Sequence, residues 1–166
     1  SLLNSGDVIL NTEKVNISNV IKDAAAYYKN TASFRGIGIA ISVLDDNLPE
    51  LELNHAAIKE VFKNIIGNAV KYSKSNGDII VSVSRYGGNV VVNVRDYGFG
   101  IPDDDLPHIF ENGFMASNAK HDIDGSGLGL YIVKKLLDKM GAKIAVKSEE
   151  GEGSEFIITF LNLPLP

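Results

Sequence analysis

The chain has 166 residues, long enough for a single substantial core and short enough to be read as one domain. Its 45% hydrophobic and 22% charged residues are ordinary for a globular protein, and a net charge of -5 argues against general nucleic-acid affinity, which shows as a basic excess. No cysteine means no disulfide frame and no thiolate metal site, which suits a reducing compartment, and no apolar run approaches the ~20 residues of a bilayer span.

In chain order, Ser1 to Asp7 is polar and reads as a linker, and the loose alternation from Val8 to Val15 predicts an edge strand. Val20, Ile21, Ala24, Ala25 and Tyr28 keep helical spacing behind a cap at Asn16 or Ser18, and Gly36 stops that helix. Ile37 to Leu44 is rich in β-branched residues and predicts a strand. Asp45 to Glu50 is a turn, and Leu51 to Leu53 a short strand.

Asn54 or His55 then caps a helix expected to run to about Lys74. With ~100° per residue, Glu60, Asn64, Asn68, Lys71 and Tyr72 fall within roughly 120°, opposite Ile58, Phe62, Ile65, Ile66, Ala69 and Val70. One face is core and the other a polar strip. Asparagine is a poor helix former, so two of them four apart call for a reason. Amide oxygens suit Mg²⁺ beside phosphates, a lysine one turn on adds a cation, and Tyr72 offers a ring to a flat base. A solvated face is the plain alternative for the strip alone. His55 has no second metal ligand near it and fits capping better.

Ser75 to Asp78 is a turn, and Ile79 to Tyr86 and Asn89 to Arg95 alternate around Gly87-Gly88 as a hairpin. The hairpin ends at Asp96-Tyr97-Gly98-Phe99-Gly100-Ile101, where an aspartate can accept from a ring amino group and glycines let the backbone approach a flat ligand; a plain turn is the other reading. From Pro102 to Ser126 the only regular element expected is a short helix around Leu106 to Glu111, so this long loop reads as a lid. Asp103, Asp104 and Asp105 admit a calcium site, or more simply a helix-start effect, and Phe110 and Phe114 are expected to pin the loop to the core.

Gly125-Ser126-Gly127-Leu128-Gly129-Leu130 leads into a helix carrying Ile132, Val133, Leu136, Leu137 and Met140 inward and ended by Gly141. Free backbone N–H groups at such a helix start make a phosphate site. Neither glycine run fits a dinucleotide fingerprint or a P-loop. Lys143 to Ser148 and Glu155 to Leu161 complete the sheet around Gly151-Glu152-Gly153. The element order predicts an α/β (α+β) two-layer sandwich with a mixed sheet and three main helices, not a doubly wound fold.

Taken together, these motifs resemble the GHKL superfamily, and among its members the catalytic ATP-binding domain of two-component sensor histidine kinases. Asn64 to Tyr72 resembles that family's asparagine box, Asp96 to Ile101 its first glycine box, His108 to Phe114 its phenylalanine box and Gly125 to Leu130 its second glycine box. The resemblance runs from about Asp7 to Phe160 and implies a Bergerat-type ATP-binding fold. It also implies Asn68 as the Mg²⁺ ligand with Asn64 beside it, Lys71 at the phosphates, and Tyr72 near adenine. Asp96 would accept from the adenine amino group. Gly98, Gly100, Ile101 and Phe110 would line the base side, and Gly125, Ser126, Gly127, Leu128 and Gly129 would frame the phosphates.

The implied reaction is transfer of the γ-phosphoryl of ATP to a histidine, with Asn64, Asn68 and Lys71 as its catalytic residues. The lid, Met115 to His121, has no arginine, so Lys120 or His121 takes that place or the lid contributes less. None of His55, His108 and His121 lies in the family's acceptor motif. The expectation is therefore that residues 1–7 continue from an upstream dimerisation and phosphotransfer hairpin, and that residues 8–166 form a cytoplasmic catalytic domain. That domain would work with the hairpin and with a response regulator receiver domain, and would touch neither nucleic acid nor membrane. Gyrase-like hydrolases of the superfamily carry a glutamate base where Asn64 stands, which favours a kinase; a protein-serine kinase and a nonenzymatic nucleotide-binding module are the alternatives.

Overall fold

The computed structural model describes residues 11–117 and 129–161. Its elements are β1 (Glu13–Val15), α1 (Ile17–Phe34), β2 (Gly38–Val43), β3 (Leu51–Leu53), α2 (His55–Tyr72), β4 (Asp78–Tyr86), β5 (Asn89–Asp96), α3 (Gly129–Met140), β6 (Lys143–Glu149) and β7 (Gly153–Phe160). The large sheet has the order β2-β4-β5-β7-β6, with β2 parallel to β4 and every other pair antiparallel. A mixed sheet under three described helices is the expected two-layer sandwich.

Alternation decides which face of the sheet the helices cover. Ile79, Val81 and Val83 of β4, Val90, Val92 and Val94 of β5 and Ile158 of β7 are buried, whereas Ile80 between them is 38% exposed. Burial of each such side chain contributes on the order of 1.5–3 kcal/mol. The facing layer is centred on α2, which packs against α1, α3 and β5. It buries Ala57, Ile58, Val61, Phe62, Ile65, Ile66, Ala69 and Val70, so the core face is the expected one. Phe62 meets Phe160 across the two layers at 6.2 Å.

The helix ends explain where α2 sits. Asn54 is its N-cap, accepting from the Ala57 amide at 2.9 Å. Asn16 caps α1 in the same way through the Asn19 amide, and Gly36 ends it at φ 70. There an added Cβ would stand 2.3 Å from Asn76 Oδ1.

The described part of the stretch expected as an edge strand holds β1 of three residues, paired with β3 in a separate antiparallel ribbon. Two expectations are corrected in detail. Helix α2 stops at Tyr72, short of Lys74, because Ser73 is already extended at ψ 149. The lid helix shrinks to a single 3-10 turn, Leu106–His108, with proline at its start.

Candidate functional site

The site forms where the C-terminal half of α2 meets the loop after β5. Asp96, at the end of β5, is buried, and its Oδ1 accepts from the amides of Gly98 at 2.9 Å and Ser154 at 3.3 Å. Its Oδ2 takes no hydrogen bond from a described residue. Desolvation raises the carboxyl above its ordinary 3.8, against the opposing pull of the two amides and Arg95.

The loop itself is clamped by backbone on two sides. Phe99 N donates to Tyr72 O at 3.2 Å, and a Cβ on Gly98 would stand 2.0 Å from that same carbonyl. On the other side Gly151 N donates to Phe99 O at 2.7 Å, while Gly100, at φ 68, leaves no room beside Glu149 O, which a Cβ would approach to 2.1 Å. Both positions therefore need glycine for space, and Gly100 needs it for its backbone as well. Ile101 N donates to Ser148 Oγ at 2.7 Å, and Ser148 Oγ in turn bonds Gly153 O and Ser154 Oγ.

Helix α2 carries the polar strip past this loop. Asn64, Asn68, Lys71 and Tyr72 are all half-exposed, as a strip facing a ligand requires. Lys71 Nζ lies 5.9 Å from the centre of the Tyr72 ring, whose hydroxyl burial holds above its ordinary pKa. The Asn68 side chain makes no hydrogen bond with a described residue. Asn64 Oδ1 lies 2.9 Å from where a Cβ on Gly129 would be, so the asparagine strip and the first residue of α3 meet directly.

The structure thus brings Asn64, Asn68, Lys71, Tyr72, Asp96, Gly98, Gly100, Ile101 and Gly129 to one region. Phe110 packs with Phe114 against the core, beside the buried Ile109. Lys120, Gly125, Ser126, Gly127 and Leu128 lie outside the described residues. Asp105 neither caps the 3-10 turn nor joins a cluster of acids. It reaches across the loop to Ser117, accepting from its amide at 2.9 Å and its hydroxyl at 2.8 Å, which lowers its pKa. Among the described residues no group of three or more histidines and acids is placed to hold a metal.

Three contributors escape a reading of the sequence. Ser148 and Ser154 sit in alternating strands and look like ordinary strand residues; only the Gly-x-Gly before Ser154 hints at a close approach, and a Cβ on Gly153 would indeed stand 2.2 Å from Asp96 O. Arg35, the residue after α1, sends its guanidinium to the carbonyls of Val70 and Ser73, and to that of Lys71 at 3.4 Å. It therefore caps α2 with a cation at its negative dipole end, 35 residues away in sequence.

The family model for histidine kinase-, DNA gyrase B- and HSP90-like ATPases matches residues 54–165. Curated relatives include the sensor histidine kinase GraS of Staphylococcus haemolyticus, 30% identical over 89% of this chain and 42% of GraS. The sensor protein BceS of Halalkalibacterium halodurans is 32% identical over 91% of this chain and 44% of BceS. This chain thus spans less than half the length of either. Among solved structures, full-length ShkA in complex with AMPPNP superposes with a TM-score of 0.81 at 31% identity, over 95% of this chain and 32% of ShkA. The catalytic domain of the histidine kinase ThkA, free of nucleotide, gives 0.78 at 25% identity over 90% of this chain and 94% of its own. With the match covering the asparagine strip, the buried aspartate and the glycine-lined loop, the chain belongs to the family of histidine kinase-, DNA gyrase B- and HSP90-like ATPases.

Proposed function

We propose that this chain is the ATP-binding catalytic domain of a sensor histidine kinase, taking Mg·ATP and passing its γ-phosphoryl to a histidine on another domain. The bond from the γ-phosphorus to its bridging oxygen breaks, a phosphorus–nitrogen bond to the imidazole forms, and ADP leaves. The observation that carries this reading is Asp96: a buried carboxylate with Oδ1 held by two amides and Oδ2 open is an acceptor prepared for an exocyclic amino group such as adenine's.

Around that anchor, Gly98, Gly100 and Ile101 line the base, Tyr72 lays its ring beside it, and Phe110 holds the start of the lid to the core. Lys71 meets the phosphates; the glycine-rich residues 125–129 would frame them, and Lys120 or His121 would take the place of the family's lid arginine. The donor set fits Mg²⁺, which keeps several waters and phosphate oxygens and takes few from protein: Asn68 would hold it, with Asn64 adjacent. When bound, the metal neutralises charge on the transferring phosphoryl group. Asn64 cannot take a proton from water, which favours transfer to a side chain over hydrolysis.

The acceptor histidine then sits on a separate dimerising helical hairpin, this chain supplies the catalytic domain, and a receiver domain takes the phosphoryl onward, all in the cytoplasm. No described helix is long and apolar enough to cross a membrane. The test is to supply a histidine-bearing hairpin domain with this chain and radiolabelled ATP. Mg²⁺-dependent, acid-labile label on the hairpin is expected; binding of ATP without any label would make the chain a nucleotide-holding relay.

A further inference from the structure

We infer that Glu60 is a positioning residue for Asn64, fixing from one turn upstream on α2 which end of the Asn64 amide faces the start of α3. The inference rests on the nucleotide reading above and adds to it a residue that sets the chemistry of the phosphate side.

A side-chain amide has a donor end and an acceptor end of nearly equal shape, so its neighbours decide its orientation. Here Asn64 Nδ2 donates to the Glu60 carbonyl at 2.9 Å and to Glu60 Oε1 at 3.1 Å. Both partners are acceptors only. A flipped amide would set Oδ1 against a carbonyl and a carboxylate, exchanging two attractions for two repulsions. The partner chemistry therefore selects one orientation.

In that orientation Oδ1 points to Gly129, the first residue of α3, where an added Cβ would stand 2.9 Å from it. The lone pairs thus lie at a helix N-terminus, next to the region proposed for the phosphates and metal. A hard cation accepts an amide oxygen as a neighbour and rejects an amide NH₂ group. Glu60 lies on the same polar strip and keeps its charge on the far side of Asn64, acting through the amide and not on the nucleotide itself. A side chain at position 129 would meet Asn64 Oδ1 and displace it from this orientation.

The test uses Glu60→Ala, Glu60→Gln and Asn64→Ala in the chain as it stands. In AMPPNP titrations at a series of MgCl₂ concentrations, Glu60→Ala is expected to weaken the Mg²⁺-dependent part of binding about fivefold to tenfold, as for a lost charge-assisted hydrogen bond. Glu60→Gln, whose amide oxygen still accepts from Asn64 Nδ2, is expected to recover binding to within about twofold of wild type. A Glu60→Gln variant as weak as Glu60→Ala would mean that charge, not orientation, is what Glu60 supplies, and would overturn the inference. So would a Glu60→Ala variant equal to wild type while Asn64→Ala is impaired. A wild-type chain that binds no AMPPNP would overturn the nucleotide reading first. A ligand-free readout separates the two: Asn64 side-chain NH₂ resonances are expected at the same hydrogen-bonded shifts in wild type and Glu60→Gln, and displaced toward solvent-exposed shifts in Glu60→Ala, where only the bond to the residue-60 carbonyl remains. Solvent-exposed shifts in wild type would sink the inference whatever the nucleotide does.

Discussion

The two sides of this site, proposed for the base and for the phosphates, are built from different materials. On the first, backbone packs on backbone: the Tyr72 carbonyl fills the space beside Gly98, the Glu149 carbonyl that beside Gly100, and the Asp96 carbonyl that beside Gly153. On the second, helix α2 offers side chains, Asn64, Asn68 and Lys71, one of which, Asn68, bonds no described residue. A floor made of main chain leaves no space for an added atom, whereas a strip of amides tolerates substitution in the fold and loses only what it offers a ligand.

The contrast breaks most sharply at Gly98. Gly98→Ala sets a Cβ against main chain that cannot move aside, and about 3 kcal/mol of stability is expected to go, read by urea unfolding. Gly87→Ala, at φ 61 but in open space, is the control, with only a backbone cost of about 1 kcal/mol. Equal losses at the two positions would refute the packing account. Next comes Arg35→Ala, which releases the carbonyls at the end of α2; about 2 kcal/mol is expected in the same assay. A loss within about 0.5 kcal/mol, as at an ordinary surface site, would show that the cap carries little.

Asp96→Asn separates binding from folding. Its new NH₂ group faces a donor on the base, so affinity for adenine nucleotides is expected to fall by ~1–3 kcal/mol, roughly fivefold to 150-fold. Stability moves the other way. A carboxyl raised above 3.8 in the fold contributes stability that is full below 3.8 and lost as pH rises through the raised value, so at neutral pH the ionised, buried group is a cost. The asparagine removes that cost, and unfolding at neutral pH is expected to need at least as much urea as for wild type. A less stable variant would contradict this.

Asn68→Ala probes the strip. With no described partner to lose and a better helix former in place, its stability is expected to stay within about 0.5 kcal/mol of wild type while the Mg²⁺ dependence of nucleotide binding is lost. Retained Mg²⁺ dependence would remove Asn68 from the metal site. The smallest effect belongs to the exposed lid bond. Asp105 is lowered below 3.8 by Ser117, so its contribution is present above 3.8 and lost as pH falls through the lowered value. In Asp105→Asn the Ser117 amide is expected to exchange somewhat faster, with melting unchanged; unaltered exchange would mean that the bond holds nothing.

The same division governs what could be read from residues alone. Helix α2 was legible because period 3.6 separates Ile58, Phe62, Ile65 and Ile66 from the polar strip within one short stretch, and the β4–β5 hairpin because two glycines interrupt period 2. Asp96 and the glycines of its loop were legible as types, but not the carbonyls that make them necessary, since Gly98 answers to Tyr72 and Gly100 to Glu149. Arg35, Ser148 and Ser154 were invisible because each acts across a long sequence separation, Arg35 on carbonyls at the end of α2, Ser148 on the Ile101 amide and Ser154 through its own amide on the Asp96 carboxylate, leaving no local pattern. The partner of β1 was not legible, because three residues are too few to say which strand they meet.

The most direct test of the account is calorimetric titration of AMPPNP, with and without Mg²⁺, into the wild-type chain and into Asp96→Asn. Wild-type binding that tightens with Mg²⁺ and weakens at least about fivefold in the folded variant is the expected result. Equal affinity in the two chains, or none in a folded wild type, would contradict a nucleotide site anchored on Asp96.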